Sequence, residues 1–196
     1  MQVKWLAVCL LSGLLLSGSL FAQQKHETSK TEQNMLSSTD RSFITSAEQG
    51  NLAEVDTAKM VQQRTTDPAV KDFASRMVTD HTRASQQLKA LASSEGITLP
   101  AEPIATERTQ NEQWKKLSGA KLNDTYLRDQ LEDHQQAISV FENEIEHGKD
   151  QAVKNYAEQT LPVLQDHIRI AEDLAGKMDM SGKAGLSDRS KAITAK

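Results

Sequence analysis

Four segments of roughly twenty-five residues each repeat their apolar residues at helical spacing, and each carries one ionisable residue in the middle of its stripe. At about 100° per residue, His81 shares a helix face with Val70, Ala74, Met77, Val78, Leu88 and Ala92. His134 is flanked in the same way by Leu127, Leu131, Ile138, Phe141 and Ile145. His167 lies among Tyr156, Thr160, Val163, Leu164, Ala171 and Leu174, and Glu54 lies on the stripe of Phe43, Ala47, Ala58 and Val61. Four such stripes have to be buried against one another, which directs the chain to an all-α bundle. The same packing turns four polar groups into one interior. An unpaired buried imidazole or carboxyl costs about 1–3 kcal/mol or more. The four are therefore expected to meet each other, a metal ion or a small ligand.

Punctuation along the chain sets the helix ends. The first helix is expected from Thr39 or Asp40 to about Arg64. The second opens at Asp67-Pro68, a capping residue followed by proline in the first turn, and stops at Gly96-Ile97. A connection from Gly96 to Asn123 holds Pro100 and Pro103, with a short helix expected from Thr106 to Leu117 that carries Trp114. The third long helix is expected from Asn123 or Asp124 to His147-Gly148, with His147 at its C-terminal end. The fourth runs from Asp150 to about Met178, with Pro162 inside it. Two hairpins joined by one long crossover is the ferritin-like arrangement of a four-helix bundle. A helix of about twenty-five residues is about 40 Å long at 1.5 Å per residue, and the connection has residues enough to span it.

The ends read differently. Residues 1–22 carry one charge, Lys4, then an apolar run and small polar residues, the pattern of a secretory signal peptide; an uncleaved anchor is the alternative. Residues 23–38 read as a polar flexible linker, 39–178 as the bundle domain and 179–196 as a disordered tail. The single cysteine, Cys9, falls within the leader, so disulfides and thiolate metal sites are excluded from the rest. A net charge of −4 disfavours nucleic acid as a partner, and nothing after the leader suggests membrane insertion. A protein partner is not specified by any segment. There is no Ser-His-Asp elbow, phosphate loop or His-Glu-x-x-His motif, so hydrolase and nucleotide readings have no residues to stand on, and the chain is read as non-enzymatic unless a bound metal shows otherwise.

Three imidazoles and a carboxylate, Glu54, His81, His134 and His167, suit one Zn, Cu or Fe ion. Asp80, Asp133 and Asp166 each precede a histidine and are expected to accept a hydrogen bond from a metal-bound imidazole on a neighbouring helix. The alternative is a metal-free hydrogen-bond network in a structural or interaction protein of the cell envelope, serving stress or surface roles. Glu48 and the acidic residues Asp129, Glu132, Glu142, Glu144 and Glu146 read as solvated edges.

The chain also resembles a known family. Phe43, Ala47, Gly50 and Glu54-Val55 in the first helix carry the likeness, with Val70-Lys71-x-Phe73-Ala74-x-x-Met77-Val78-x-Asp80-His81 and the Gly96-Ile97-Thr98-Leu99-Pro100 exit in the second. It continues through Tyr126-Leu127, Asp133-His134, Leu161-Pro162-x-Leu164 and His167. These residues resemble the secreted bacterial "domain of unknown function 4142" proteins from about Thr39 to Leu174. The resemblance implies a ferritin-like fold and an extracytoplasmic place, periplasmic or secreted, with no established activity. Di-iron bundles of that fold carry Glu three residues before His; here those positions are Val78 and Leu164, so iron-storage chemistry is not inherited.

Overall fold

The computed structural model describes residues 36–194, with side chains as far as Met178. The leader at 1–22 and nearly all of the 23–38 linker lie outside the described residues. Helix α1, Ser38–Arg64, begins in a reciprocal cap. Asp40 N–H donates to the Ser37 hydroxyl at 3.2 Å and Ser37 N–H to the Asp40 carboxylate at 2.9 Å. The cap, Ser37, is thus two or three residues earlier than Thr39 or Asp40, because Asp40 serves at the third helical position instead. Helix α2, Pro68–Ser94, is capped by Asp67, which accepts from Ala69 and Val70 N–H. It leaves through Gly96 at φ 65°, where the left-handed turn brings Ile97 N–H to the Ala92 carbonyl at 2.8 Å.

The crossover carries the short helix α3, Ala105–Trp114, which lies on α1 through Thr57 Oγ1 donating to Asn111 Oδ1 at 2.8 Å. Helix α4, Gly119–His147, starts four residues before the expected Asn123. Asn123 does not cap; its side chain turns inward and accepts from the Thr65 hydroxyl at 2.8 Å. Helix α5, Gln151–Thr194, contains Pro162 and continues past Met178, where the apolar stripe ends. Among the described residues all regular structure is helical, and no helix is long and apolar enough to cross a membrane.

The pairs α1–α2 and α4–α5 form two hairpins, and α1 also packs on α4 and α2 on α5. The apolar core is divided. One part holds Phe43, Leu88, Phe141 and Val153, from the start of α1, the ends of α2 and α4, and the start of α5. The other holds Val61, Val70, Leu122 and Ala171 from the opposite ends of the same helices. Helices α2 and α4 therefore run the same way, and the chain between them travels the length of the bundle, as two hairpins with one crossover require.

Candidate metal centre

Between the two apolar cores lies a polar layer, one turn deep, made by residues from all four long helices. The rings of His81, His134 and His167 stand 5.2–5.5 Å apart, centroid to centroid, and all three residues are buried. One nitrogen from each can be chosen so that the three lie within 4.8 Å of one another. A helical period places each side chain here: His81, His134 and His167 all fall near the middle of stripes whose other members fill the cores above and below.

The hydrogen bonds assign the ring protons. Asp80, held by Arg76 at 3.3 Å and Arg83 at 3.6 Å, accepts from His167 Nε2–H at 3.1 Å. This leaves the His167 Nδ1 lone pair to accept from His134 Nε2–H at 3.2 Å. The remaining His134 nitrogen, Nδ1, has no hydrogen-bond partner; Glu54 Oε1 stands 3.6 Å away, close but beyond a formed bond. Asn51 sets the proton of His81. The Asn51 amide donates to the Tyr156 hydroxyl at 3.3 Å, so its Oδ1 accepts from His81 Nδ1–H at 3.0 Å, and His81 Nε2 is left buried without a partner.

Burial decides the charge of the layer. It holds His81 well below the usual imidazole range, with the two neighbouring imidazoles adding to the effect. It lowers His134 to about 3, with His167 contributing, and lowers His167 against the pull of Asp80. Burial also pushes the Glu54 carboxyl up to about 8, against the Gln130 amide that donates to it at 2.8 Å and with the charges of Asp133, Asp129 and Glu107. At neutral pH the three imidazoles are neutral, the form in which imidazole ligates a metal.

Of the residues singled out from sequence, Glu54, His81, His134 and His167 converge. Glu54 meets the outer nitrogen of His134, on the opposite ring edge from His167. Asp80 makes the expected bond to a histidine of a neighbouring helix. Asp133 and Asp166 do not. The offset of about 100° from their histidines carries Asp166 outward to Arg76 and Arg169, and Asp133 to the exposed face of α4.

Three other residues differ from the sequence reading. Glu48 is fully buried, accepting from Ser85 at 2.8 Å and facing Lys89 at 3.3 Å. Glu144 is fully buried beside Asp40. Asp129 belongs to the wall of a cavity rather than to a wet face. Asn51 and Gln130, both buried polar residues of the layer, were missed; Asn51 stands three residues before Glu54 and Gln130 four before His134, the spacing of one helix face. The cavity, about 260 Å³, opens beside the layer and is lined by Glu54, His81, Gln130 and His134 at depth.

Residues 25–174 match the sequence pattern of the family described as "Domain of unknown function (DUF4142)", and the chain belongs to that family. Two solved structures share the fold. A DUF305 fragment from Deinococcus radiodurans superposes with a TM-score of 0.65 at 18% identity, covering 73% of this chain and 99% of that one. A DUF305 protein from Streptomyces coelicolor, named as a candidate secreted protein, superposes at 0.63 and 16% identity, covering 72% and 94%. No curated protein matches the sequence.

Proposed function

We propose that this member of the family binds one transition-metal ion of the imidazole-preferring class, Zn, Cu or Fe, on His81 Nε2, His134 Nε2 and His167 Nδ1, outside the cytoplasm. One observation carries the reading: each histidine has an outer partner or neighbour for one nitrogen, Asn51, Glu54 or Asp80, and one nitrogen from each ring lies within 4.8 Å of the other two; loading moves the His134 proton from Nε2 to Nδ1, where Glu54 faces it. That is the arrangement in which outer groups fix ring orientation and raise ligand basicity. Ligands about 2.0–2.1 Å from a tetrahedral ion stand about 3.3 Å apart. The 3.2 Å between His134 and His167 already matches one such edge. Glu54 is assigned to the outer nitrogen of His134 rather than to the ion, and the cavity side provides an open coordination position. No catalytic step is assigned. The extracytoplasmic placement is supported by the leader-like residues 1–22 and by the name of the Streptomyces neighbour.

The direct bond between His134 and His167 favours a second reading, a metal-free network that fixes helix register. Elemental analysis and zinc titration of untagged protein decide between them. The expected result is one ion per chain, with a melting temperature that rises on loading; at a hundredfold excess over the dissociation constant the gain is about 2.7 kcal/mol. His81→Ala with His167→Ala abolishes it. Protein that stays metal-free at saturating Zn, Cu and Fe, with unchanged stability in chelator, overturns the proposal in favour of the network.

A further inference from the structure

Tyr156 of α5 carries a hydroxyl where packing alone asks for none. Its ring lies against Phe43 and Phe141, each 6.1 Å away centroid to centroid, in the apolar core at one end of the bundle, and a phenylalanine would fill the same space. The hydroxyl accepts from Asn51 Nδ2 of α1 at 3.3 Å. Asn51 in turn places its Oδ1 3.0 Å from Nδ1 of His81 on α2, and all three residues are buried. An asparagine amide has a donor end and an acceptor end, so its orientation decides which ring nitrogen of His81 is protonated. With Nδ2 spent on Tyr156, Oδ1 is left for His81; the proton then sits on Nδ1 and the Nε2 lone pair is bare. With the amide turned over, Nδ2 would donate to Nδ1 and the proton would move to Nε2, where it stands in the way of a metal. The tyrosine hydroxyl supplies the acceptor that the donor end of Asn51 needs. Without it the turned-over amide is the better satisfied arrangement, since buried N–H groups are left without partners more rarely than carbonyl oxygens.

We infer that Tyr156, acting through Asn51, is a positioning residue of the histidine centre: it holds the His81 proton on Nδ1 and keeps Nε2 as a lone pair ready for a metal. The use of that lone pair rests on the reading of His81 as a ligand given above. The position of the proton does not, because it is a property of the metal-free chain. The three side chains come from three helices, so the aromatic core at one end of the bundle and the histidine layer in its middle are joined through one amide.

The test reads the proton directly and then the metal. In the full chain labelled with ¹⁵N-histidine and kept metal-free at neutral pH, the protonated and bare nitrogens of an imidazole resonate far apart, and the His81 signals are those lost in His81→Ala. Wild-type protein is expected to carry the His81 proton on Nδ1. Tyr156→Phe, which keeps the ring and removes only the hydroxyl, moves it wholly or partly to Nε2 and weakens zinc binding about tenfold, as loss of support for a metal-bound histidine does. Asn51→Asp combined with Tyr156→Phe restores zinc binding, because both carboxylate oxygens accept and no hydroxyl is needed to orient them. A proton that stays on Nδ1 in Tyr156→Phe, zinc affinity equal to wild type in that variant, or a loss that the double variant does not recover overturns the inference. Wild-type protein that binds no zinc defeats the metal reading instead, and the spectra of the two metal-free proteins then decide the role of Tyr156 by themselves.

Discussion

Two of the buried polar sites in this bundle, Asp40 and the histidine layer, use their atoms in opposite ways. At one end, Asp40 accepts N–H groups from Ser37 at 2.9 Å, Lys149 at 2.8 Å and Asp150 at 3.2 Å, joining the start of α1 to the turn between α4 and α5. Its carboxylate is consumed by backbone. In the middle, His81 Nε2 is buried without a partner, and His134 and His167 have only each other for their inner nitrogens. Asp40 is satisfied by fixed protein donors, whereas a lone pair left over among the histidines is what a ligand completes. The two clusters also differ in protons. Burial alone would raise Asp40, but the Ser37, Lys149 and Asp150 donors hold it down at about 2.

The sharpest way to break this comparison is to remove the structural cluster. Asp40→Ala strands three N–H groups and half of the α1 cap; with about 1–3 kcal/mol for each unsatisfied buried group, partly offset by water, a loss of about 3 kcal/mol is expected in urea unfolding. Metal stoichiometry stays as in wild type. A loss under about 1 kcal/mol would mean that solvent replaces Asp40 and that the end cluster is no more structural than the middle one.

Asp80→Asn probes the middle layer from outside. The amide still occupies the place beside His167 Nε2 but loses the charge that polarises the ring. Metal affinity is expected to fall about 10–100-fold, as for outer partners of metal-bound histidines, with apo stability changed by under about 1 kcal/mol. Competition with a coloured chelator measures it. Full affinity in this variant would detach Asp80 from the site and leave it to Arg76 and Arg83 alone.

The architecture was legible because helix signals are local and repeated. Asp67-Pro68 and Gly96-Ile97 act as caps within a few residues of themselves, so α2 was readable to within two residues. The start of α4 was not, since Asn123 looks like a cap until Thr65, far along the chain, is known to face it. The convergence of Glu54, His81, His134 and His167 followed from stripe position and level. Their bonding did not follow, because a 3.6-residue period gives a direction to the nearest 100° and says nothing of which nitrogen faces which helix. Glu144 shows the same limit. Among Glu142 and Glu146 it reads as one more solvated acid, yet its helix face meets Asp40 across the bundle.

The pH dependence of Glu144 is the most diagnostic effect at the end cluster. Burial first, then the neighbouring Asp40 carboxylate, pushes Glu144 up to about 7 from 4.5, and neither of its oxygens has a formed hydrogen bond. A carboxyl whose folded value lies above its unfolded value contributes stability that is complete below the unfolded value and is lost as pH rises through the folded one. Wild-type protein is therefore expected to lose stability from about pH 5 to pH 8 through this group, whereas Glu144→Gln, neutral throughout, does not. From pH 5 to pH 8 the difference between the two should move in favour of the variant by about 2 kcal/mol. Asp40, with its lowered value, acts only in acid: its contribution holds above 3.8 and disappears as pH falls toward about 2. Urea midpoints of both proteins across pH 5–8 make the measurement. Parallel curves would show that Glu144 is ionised and compensated, and the end cluster would then hold two charges where the histidine layer, with its neutral imidazoles, holds none.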